Sequence, residues 1–312
     1  MLNALVTGAA GFIGSKLVHE LYNRGYNVSA LIEKDDNKGV EKLKSISENI
    51  IILDDLQELI NNAENYPSYD CIFHLATVGI NPNFKNIAAI CDVNIKMGCQ
   101  LLDFTKKTDS KLFVNFGSCF EYGDHGNDLL TEDMNCSPES LYAISKNAST
   151  NLVMAYAKLE GINMITVRPF GVFGEGEGPN RLCPSIISHC LNNEIVKTTP
   201  GEQIRDFVNV SDLVKAVITL TESDYEEYEI YNICSDNPVS VKDFISEIIE
   251  VCGFDESLVE FGALPYRANE AMIFAGSNKK LQKVINYPFP NNHREGIWDI
   301  YNSLKMGKND VI

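Results

Sequence analysis

The chain has 312 residues, more than the roughly 100–200 of a usual domain, so two lobes or one α/β unit with an appended lobe are expected. Its formal net charge of −17 argues against a nucleic-acid partner, because nucleic-acid binding depends on lysine and arginine side chains that neutralise phosphates. No stretch approaches the roughly 18–20 consecutive apolar residues of a membrane span, and no secretory signal is recognisable, so we expect a soluble protein of the cytoplasm.

Nine cysteines are scattered singly along the sequence, without a CxxC pair or another metal-ligand spacing. They are Cys71, Cys91, Cys99, Cys119, Cys136, Cys183, Cys190, Cys234 and Cys252. We therefore expect reduced thiols, most of them small core residues, and no metal site.

From residue 2 to about residue 120, short apolar runs alternate with longer amphipathic stretches. The runs are LNALVT, YNVSALI, ENIIIL, YDCIFHLAT and KLFVNFGS, and the stretches include KLVHELYNRG and VNIKMGCQLLDFTKK. This alternation predicts β-α-β units and therefore an α/β fold with a doubly wound parallel sheet of the Rossmann type. Residues 142–159 then indicate a long helix, and residues 163–170 indicate the strand that follows it.

The composition changes after residue 170, where GVFGEGEGPNRLCP holds four glycines and two prolines. We expect a long functional loop there and the start of a smaller C-terminal lobe. Beyond it, RDFVNVSDLVKAVITL predicts a strand and a helix, and HREGIWDIYNSLK predicts a terminal helix. Between them, YNICSDNPVSVKDFISEIIEVCG predicts a strand, a turn and a helix capped by Ser240 or Asp243. The predicted domains are 1–168, with a returning segment near 206–235, and 169–312.

Residues 6–14, VTGAAGFIG, place three glycines at three-residue intervals after the first apolar run. Glycines at this point of a βαβ unit permit a tight turn, close approach of the backbone to a pyrophosphate and close packing of the helix on the strand. The amides of a helix that starts near Phe12 would hold the anion. A turn without a ligand is the alternative, but the position after the first strand favours a dinucleotide site. Its residues would be Gly8, Gly11, Phe12, Ile13 and Gly14.

Glu33 lies where the second strand is expected to end. Its carboxylate could accept hydrogen bonds from the adenosine ribose and would repel a 2′-phosphate, so NAD(H) is favoured. Lys34 follows and could instead meet a 2′-phosphate, so NADP(H) stays open, and a solvated loop is the alternative for both residues. Asp54 and Asp55 end the third strand pattern, and one of them is expected to face the adenine.

Tyr142 and Lys146 are four residues apart and therefore share one face of the predicted helix. A phenol with a pKa of roughly 10 is a poor base at neutral pH, but an adjacent ammonium and an oxidised nicotinamide favour the phenolate. The pair could then exchange a proton with a sugar hydroxyl. Ser118 ends the apolar strand in FVNFGSCFEYG, where its hydroxyl could bind the same reacting oxygen. An exposed pair and a serine that bonds local backbone are the alternatives.

GAAGFIG, Ser118 and residues 142–146, in this order, resemble the extended short-chain dehydrogenase/reductase family, in the NAD-dependent epimerase/dehydratase group that acts on sugar nucleotides. The resemblance runs nearly end to end. Further matching segments are HLAT at 74–77, Asn94, YG at 122–123, RPFGVFG at 168–174, GEQIRDFVNVSDL at 201–213, YNICS at 231–235 and LPYRANEAM at 264–272. The resemblance implies a dinucleotide-binding domain and a small C-terminal lobe that closes on a nucleoside diphosphate.

Residue roles follow from the resemblance by position. It implies catalysis by Ser118, Tyr142 and Lys146. It implies binding of the dinucleotide by Gly8, Gly11, Gly14, Glu33, Asp55, Leu56, Leu75, Ala76 and Lys146. Arg205 and Arg267 resemble the family's diphosphate-binding arginines, and guanidinium groups suit bidentate contact with phosphate. A solvated salt bridge is the alternative for each arginine.

The resemblance also implies a homodimer, formed through a four-helix bundle that includes the Tyr142 helix. Apolar residues on that helix are compatible with this assembly, although they would look the same in a monomer core. They are Ala148, Leu152, Val153 and Ala155.

The sequence departs from the family pattern beside Ser118 and after RPF. In sugar-nucleotide 4,6-dehydratases the hydroxyl residue is followed by Asp and Glu, the acid and base of water elimination, whereas here Cys119 and Phe120 follow. Dehydration is therefore not expected. Glu121 comes one position later and would point to the opposite face of a strand. Gly171 stands where 4-epimerases and dehydratases often carry Asn, which weakens an epimerase assignment and is expected to open space near the sugar.

SCFEYG and LPYRANEAM are more similar to the deoxyhexose-forming reductases of the CDP-abequose and CDP-paratose synthase type than to UDP-galactose 4-epimerase. The sequence therefore indicates an enzyme that transfers hydride between a nicotinamide cofactor and C4 of a nucleoside-diphosphate hexose, deoxyhexose or heptose. Tyr142 would exchange the proton, Ser118 would position the oxygen, and Lys146 would lower the phenol pKa and hold the nicotinamide ribose. A 4-epimerase that retains NAD is the alternative, and a non-catalytic dinucleotide-binding regulator is the third hypothesis.

Overall fold

The computed structural model describes residues 1–266, 270–286, 289–290 and 292–309. Its strands are β1 (Asn3–Thr7), β2 (Asn27–Leu31), β3 (Ile51–Leu53), β4 (Cys71–His74), β5 (Phe113–Phe116), β6 (Met164–Pro169), β7 (Gly171–Phe173), β8 (Val196–Lys197), β9 (Ile204–Arg205), β10 (Phe207–Asn209), β11 (Ile230–Ile233), β12 (Val239–Ser240), β13 (Val259–Glu260) and β14 (Ile273–Phe274). Its α-helices are α1 (Phe12–Asn23), α2 (Asn37–Ile46), α3 (Leu56–Asn61), α4 (Ile87–Ile90), α5 (Met97–Lys107), α6 (Leu141–Glu160), α7 (Leu182–Leu191), α8 (Val210–Thr221), α9 (Val241–Cys252), α10 (Lys279–Ile285) and α11 (His293–Asn309).

The main sheet has seven parallel strands in the order β11-β6-β5-β4-β1-β2-β3. The chain runs outward from β1 to β3 on one side and from β4 to β6 on the other, so the strand order reverses between β1 and β4. In a doubly wound sheet, ligands bind outside the carboxyl ends of the strands at such a reversal. The predicted α/β fold with a doubly wound parallel sheet is confirmed.

Two apolar cores cover the two faces of this sheet. On one face α1, α8 and α10 pack together, and Leu17 and Val217 are completely buried. On the other face α3, α5 and α6 pack together, and Phe104 and Val153 are completely buried. Burial of each such side chain contributes about 1.5–3 kcal/mol, so the two cores hold both helix layers against the strands.

A third core lies among the later elements, where α7, α9 and α11 pack together. The rings of Phe207 and Phe244 stack there with their centroids 3.9 Å apart. Short strand pairings accompany this core, namely β7 with β10, β9 with β12 and β14, and β8 with β13. Within the predicted returning segment, β11 pairs with β6 in the main sheet. The division of the chain between residues 168 and 169 stays a prediction.

The loop predicted after residue 170 is shorter than expected. β7 occupies its first three residues and α7 begins at Leu182, which leaves 174–181 as loop. β7 forms because it pairs with β10, some 35 residues later in the chain. A local sequence pattern does not reveal such a distant partner. Of the two candidate caps of α9, Ser240 is the N-cap, since its side chain accepts a hydrogen bond from the Asp243 amide.

Five of the nine cysteines are buried, and none forms a disulfide. They are Cys71, Cys119, Cys183, Cys190 and Cys234. Within the described part of the chain, no group of three or more His, Cys, Asp or Glu side chains could hold a metal ion. Among the same residues, no helix is long and apolar enough to cross a membrane.

Candidate active site

The glycine-rich turn joins β1 to α1 at the carboxyl edge of the sheet. Gly8 has a φ of +64°, and a Cβ there would lie 2.9 Å from the amide nitrogen of Ala76. At Gly14 a Cβ would lie 2.1 Å from the carbonyl oxygen of Gly8, so only glycine lets the helix start this close to the strand. Gly11 is the N-cap of α1 and makes no side-chain capping bond. The turn therefore has the form that a bound pyrophosphate requires, with backbone amides at a helix N-terminus.

A cavity of about 620 Å³ opens beside this turn, at the reversal of strand order. The predicted residues that line it are Gly8, Gly11, Phe12, Ile13, Gly14, Glu33, Leu75, Ala76, Ser118, Tyr142 and Lys146. The structure thus brings most of the predicted dinucleotide-binding residues and all three predicted catalytic residues to one cavity.

Three described residues of the predicted set do not line the cavity. Asp55 is the N-cap of α3, where its carboxylate accepts a hydrogen bond from the Glu58 amide at 2.9 Å, and this bond lowers its pKa. Leu56 begins the same helix. Arg205 lies on β9 and donates from Nη2 to Glu270 at 2.6 Å. Arg267 lies outside the described residues.

Several cavity residues carried no individual prediction. They are Ala10, Ile32, Asp36, Thr77, Ile80, Phe116, Gly117, Pro169, Phe170, Val172, Glu177, Gly178 and Arg181, together with Cys119 and Phe120, which were noted only as departures. The loop 174–181 supplies three of them, and its glycine content was the available signal. The side chains of Glu177 and Arg181 form an ion pair, with 3.3 Å between Oε1 and Nε.

Burial dominates the electrostatics of Tyr142 and Lys146. Desolvation by burial raises the pKa of the phenol to about 12, although hydrogen bonding with Ser118 and Thr77 opposes this rise. Lys146, which is 2% exposed, has its pKa lowered to about 8 by the same cause, and the carboxylate of Glu121 opposes that lowering. Burial is the largest of the effects on the phenol pKa.

Asn94 connects the cavity wall to the Tyr142 helix. It lies in the π-helical turn Cys91–Lys96, and its side-chain amide donates to Ser145 Oγ at 2.8 Å. Its carbonyl oxygen accepts from Thr77 Oγ1 at 3.0 Å and from the Val78 amide at 2.8 Å. The loop after β4 is thereby fixed against α6, and π-helical turns of this kind often mark functional sites.

The two positions after Ser118 hold no carboxyl group. Cys119 is buried, which raises the pKa of its thiol. The ring of Phe120 is 51% exposed and stacks on Phe274 with 5.4 Å between centroids. Glu121 lies in the 3-10 helix Cys119–Glu121, not in a strand, so the argument from strand alternation was wrong. Its carboxylate is completely buried and does not line the cavity.

Gly171 does not open space in the way that was expected. A Cβ at this position would lie 2.6 Å from the carbonyl oxygen of Asp206, so backbone occupies the place of the missing side chain. The glycine instead permits β7 and β10 to pair closely, with the Gly171 amide donating to that carbonyl at 3.0 Å.

The model of the NAD dependent epimerase/dehydratase family matches residues 4–234. CDP-abequose synthase from Salmonella typhimurium is 30% identical over 308 residues, covering 96% of this chain and 97% of that protein. dTDP-4-dehydro-6-deoxy-D-allose reductase from Streptomyces bikiniensis is 29% identical over 271 residues, covering 81% and 82%. Among solved structures, dTDP-glucose 4,6-dehydratase from Bacillus anthracis in complex with NAD has a TM-score of 0.85 at 22% identity, covering 99% of this chain and 98% of that one. The resemblance inferred from the sequence is confirmed.

Proposed function

The chain belongs to the NAD dependent epimerase/dehydratase family, and from this premise we propose that it transfers hydride between NAD(H) and C4 of a nucleoside-diphosphate hexose, deoxyhexose or heptose. One observation carries the proposal. A single cavity joins the glycine-rich turn to Ser118, Tyr142 and Lys146, while the positions after Ser118 lack the carboxyl groups of a dehydratase.

The cavity suits a dinucleotide at the end nearest α1. A Cβ at Gly8 or Gly14 would collide with backbone, and the amides at the start of α1 would hold an anion. Glu33 is exposed at this end and would accept hydrogen bonds from ribose hydroxyls, which favours NAD(H). Lys34 lies 3.8 Å from Asp55, between Nζ and Oδ2, so its charge is directed toward that carboxylate. When bound, the nicotinamide exchanges hydride with the sugar carbon.

The protonation states are those with which reduction of a 4-keto sugar would begin. With a pKa of about 12, Tyr142 holds its proton at neutral pH and can donate it to the oxygen at C4. Ser118 would bind the same oxygen and fix its position. Lys146, with a pKa of about 8, is mostly an ammonium at neutral pH, and would hold the nicotinamide ribose and stabilise the phenolate that remains after donation.

The surroundings of Ser118 support a deoxygenated sugar. Phe120 lines the cavity two residues after Ser118, with the ring of Phe274 stacked on its own, and an apolar surface favours a carbon that lacks a hydroxyl. The two relatives are named as a synthase of CDP-abequose and a reductase of a 4-dehydro-6-deoxy sugar nucleotide. The proposed reaction is therefore the 4-keto reduction of a nucleoside-diphosphate deoxyhexose.

Arginines would bind the diphosphate of this substrate. The chain has a net charge of −17, so an anionic ligand requires local positive groups. Arg205 is the described candidate, and binding would require its guanidinium to exchange Glu270 for phosphate oxygens. Arg267 is proposed for the same role from its place in the sequence.

A homodimer through α6 is part of the proposal. On this helix Val153 is buried, whereas Ala148, Leu152 and Ala155 are exposed. Leu141, Ile144 and Leu159 extend the exposed apolar stripe, which follows the helical spacing of three and four residues. A stripe of this length would be covered by the same helix of a second copy.

The experiment is incubation of the purified chain with NADH and CDP- or dTDP-linked 4-keto-6-deoxyhexoses. The proposal expects NADH consumption and a sugar nucleotide heavier by two hydrogen atoms. Interconversion of C4 epimers of a nucleoside-diphosphate hexose, without net NADH consumption, would instead identify a 4-epimerase and contradict the reductase.

A further inference from the structure

Glu121 lies beneath the cavity floor and is completely buried. Its Oε1 accepts hydrogen bonds from the backbone amide of Ser118 at 2.7 Å and from Thr150 Oγ1 at 3.1 Å. Its Oε2 accepts from Nε and Nη2 of Arg168 at 3.1 and 2.9 Å. Both carboxylate oxygens are therefore engaged, and one of them holds the main chain of a proposed catalytic residue.

The neighbours of this carboxylate fix it in place. A Cβ at Gly117 would lie 2.4 Å from Glu121 Oε1, so the glycine before Ser118 leaves room for the carboxylate. Arg168 is 3% exposed, with its guanidinium carbon 4.4 Å from the centre of the Tyr122 ring. A buried carboxylate whose two oxygens accept hydrogen bonds from a guanidinium, a hydroxyl and a backbone amide is held in one geometry.

We propose that Glu121 is a positioning residue, which holds Ser118 through its backbone and supplies the negative charge that faces Lys146 and Tyr142 from beneath the cavity. The inference rests on the proposed function, because it concerns the same site. Nothing in the reaction requires Glu121 to touch substrate or cofactor, and its carboxylate is separated from the cavity by the turn that carries Ser118.

The charged and titratable groups around the site determine the sign of the effect. The carboxylate of Glu121 raises the pKa of Lys146. Lys146 also faces His74 on β4 and Tyr142 on α6. Tyr142 faces Cys119 and Glu121, and both raise the pKa of its phenol. The groups next to Glu121 are Arg168, Cys136 and Tyr122, while Asp206 faces Cys119.

Removing the negative charge of Glu121 lowers the pKa of both Lys146 and Tyr142. The positive charge left on Arg168 acts in the same direction. Keto reduction needs the ammonium and the neutral phenol, and both are lost as pH rises. The alkaline limb of the pH–rate profile should therefore move to lower pH.

The test compares Glu121→Gln with Thr150→Val across pH, using NADH and the 4-keto sugar nucleotide. Thr150→Val removes a hydrogen bond to the same carboxylate oxygen but no charge. For Glu121→Gln we expect the alkaline limb of kcat/KM to move about one pH unit lower. We expect kcat at neutral pH to fall about twofold, because the ammonium of Lys146 then titrates close to neutrality, with little change in the KM for NADH. Thr150→Val should keep the wild-type profile. An unshifted profile in folded Glu121→Gln, or an equal shift in both variants, would overturn the proposal.

Two further measurements keep the test decisive. If Glu121→Gln does not fold, Glu121→Gln/Arg168→Gln removes both charges together and should still move the limb to lower pH, by a smaller amount. If the wild-type chain turns over no 4-keto sugar nucleotide, the proposed function fails, and the pH dependence of NADH affinity tests Glu121 without a sugar. As pH rises, NADH affinity should begin to fall at a lower pH in Glu121→Gln than in the wild type. The same pH dependence of NADH affinity in both proteins would count against the inference.

Discussion

Glu33 is expected to decide which dinucleotide the cavity accepts. Its exposed carboxylate would repel a 2′-phosphate at the adenosine end, and bringing like charges together costs on the order of a kcal/mol or more. Glu33→Ser should therefore raise kcat/KM with NADPH relative to NADH by about tenfold. Steady-state rates with the two cofactors check this. Glu41→Ser, which removes an exposed carboxylate from α2, is the matched control and should leave the ratio unchanged.

Arg168 is expected to stabilise the fold, since it pairs with a carboxylate that no solvent reaches. Arg168→Met leaves that charge buried and unpaired, so the free energy of unfolding should fall by about 3–5 kcal/mol. Arg294→Met breaks an exposed pair with Glu250 and should cost less than about 1 kcal/mol. Chemical denaturation of the two variants measures the difference. Equal losses would show that burial of the Arg168 pair does not matter.

At the level of single residues, the sequence predicted the side chains that suit proton exchange. It did not predict the buried side chain that holds one of them in position. Ser118, Tyr142 and Lys146 were predicted because their side chains suit proton exchange, and they share the cavity. For Glu121 the sequence pattern predicts a continuing strand and a side chain on its opposite face. A 3-10 helix begins at Cys119 instead. The ion pair between Glu121 and Arg168 joins residues 47 positions apart, which no local pattern reveals.

Among the elements, long periodic helices were predicted well and the two-residue strands were not. α6 was predicted over 142–159 and spans Leu141–Glu160, with Ser140 as its N-cap and Gly161 at φ +66° after its end. The short strands β8, β9 and β12 to β14 exist only because partners distant in sequence pair with them. Two residues are too few to give a periodic signal.

The exposed stripe of α6 gives a prediction about assembly. Leu152, which is 47% exposed, would be buried between copies of this helix, and an arginine there would place a charge in the apolar contact. Leu152→Arg should therefore convert a dimer into monomers in sedimentation or light scattering. Leu129→Arg alters a leucine that is 45% exposed and lies outside α6, so it should leave the dimer intact. A wild-type monomer would contradict the proposed assembly.

For the whole molecule, the alternation of predicted strands and helices along the chain predicted the parallel sheet. The strand order of that sheet in turn determines where the cavity lies. The order reverses between β1 and β4, and the cavity opens at that point. Six chain segments contribute residues to it, within 8–14, 32–36, 75–80, 116–120, 142–146 and 169–181. The later elements could be predicted less fully, because their core depends on contacts among α7, α9 and α11 rather than on a repeating unit.

NADH consumption with a nucleoside-diphosphate 4-keto-6-deoxyhexose, compared between the wild-type chain and Tyr142→Phe, decides whether the Tyr142 phenol is the proton donor of a keto reduction. We expect turnover by the wild type and a loss of kcat of about 10²–10⁴-fold in the variant, whose ring still fills the same space but has no proton to donate. NADH affinity should be nearly unchanged. Wild-type rates in Tyr142→Phe would show that this phenol is not the proton donor.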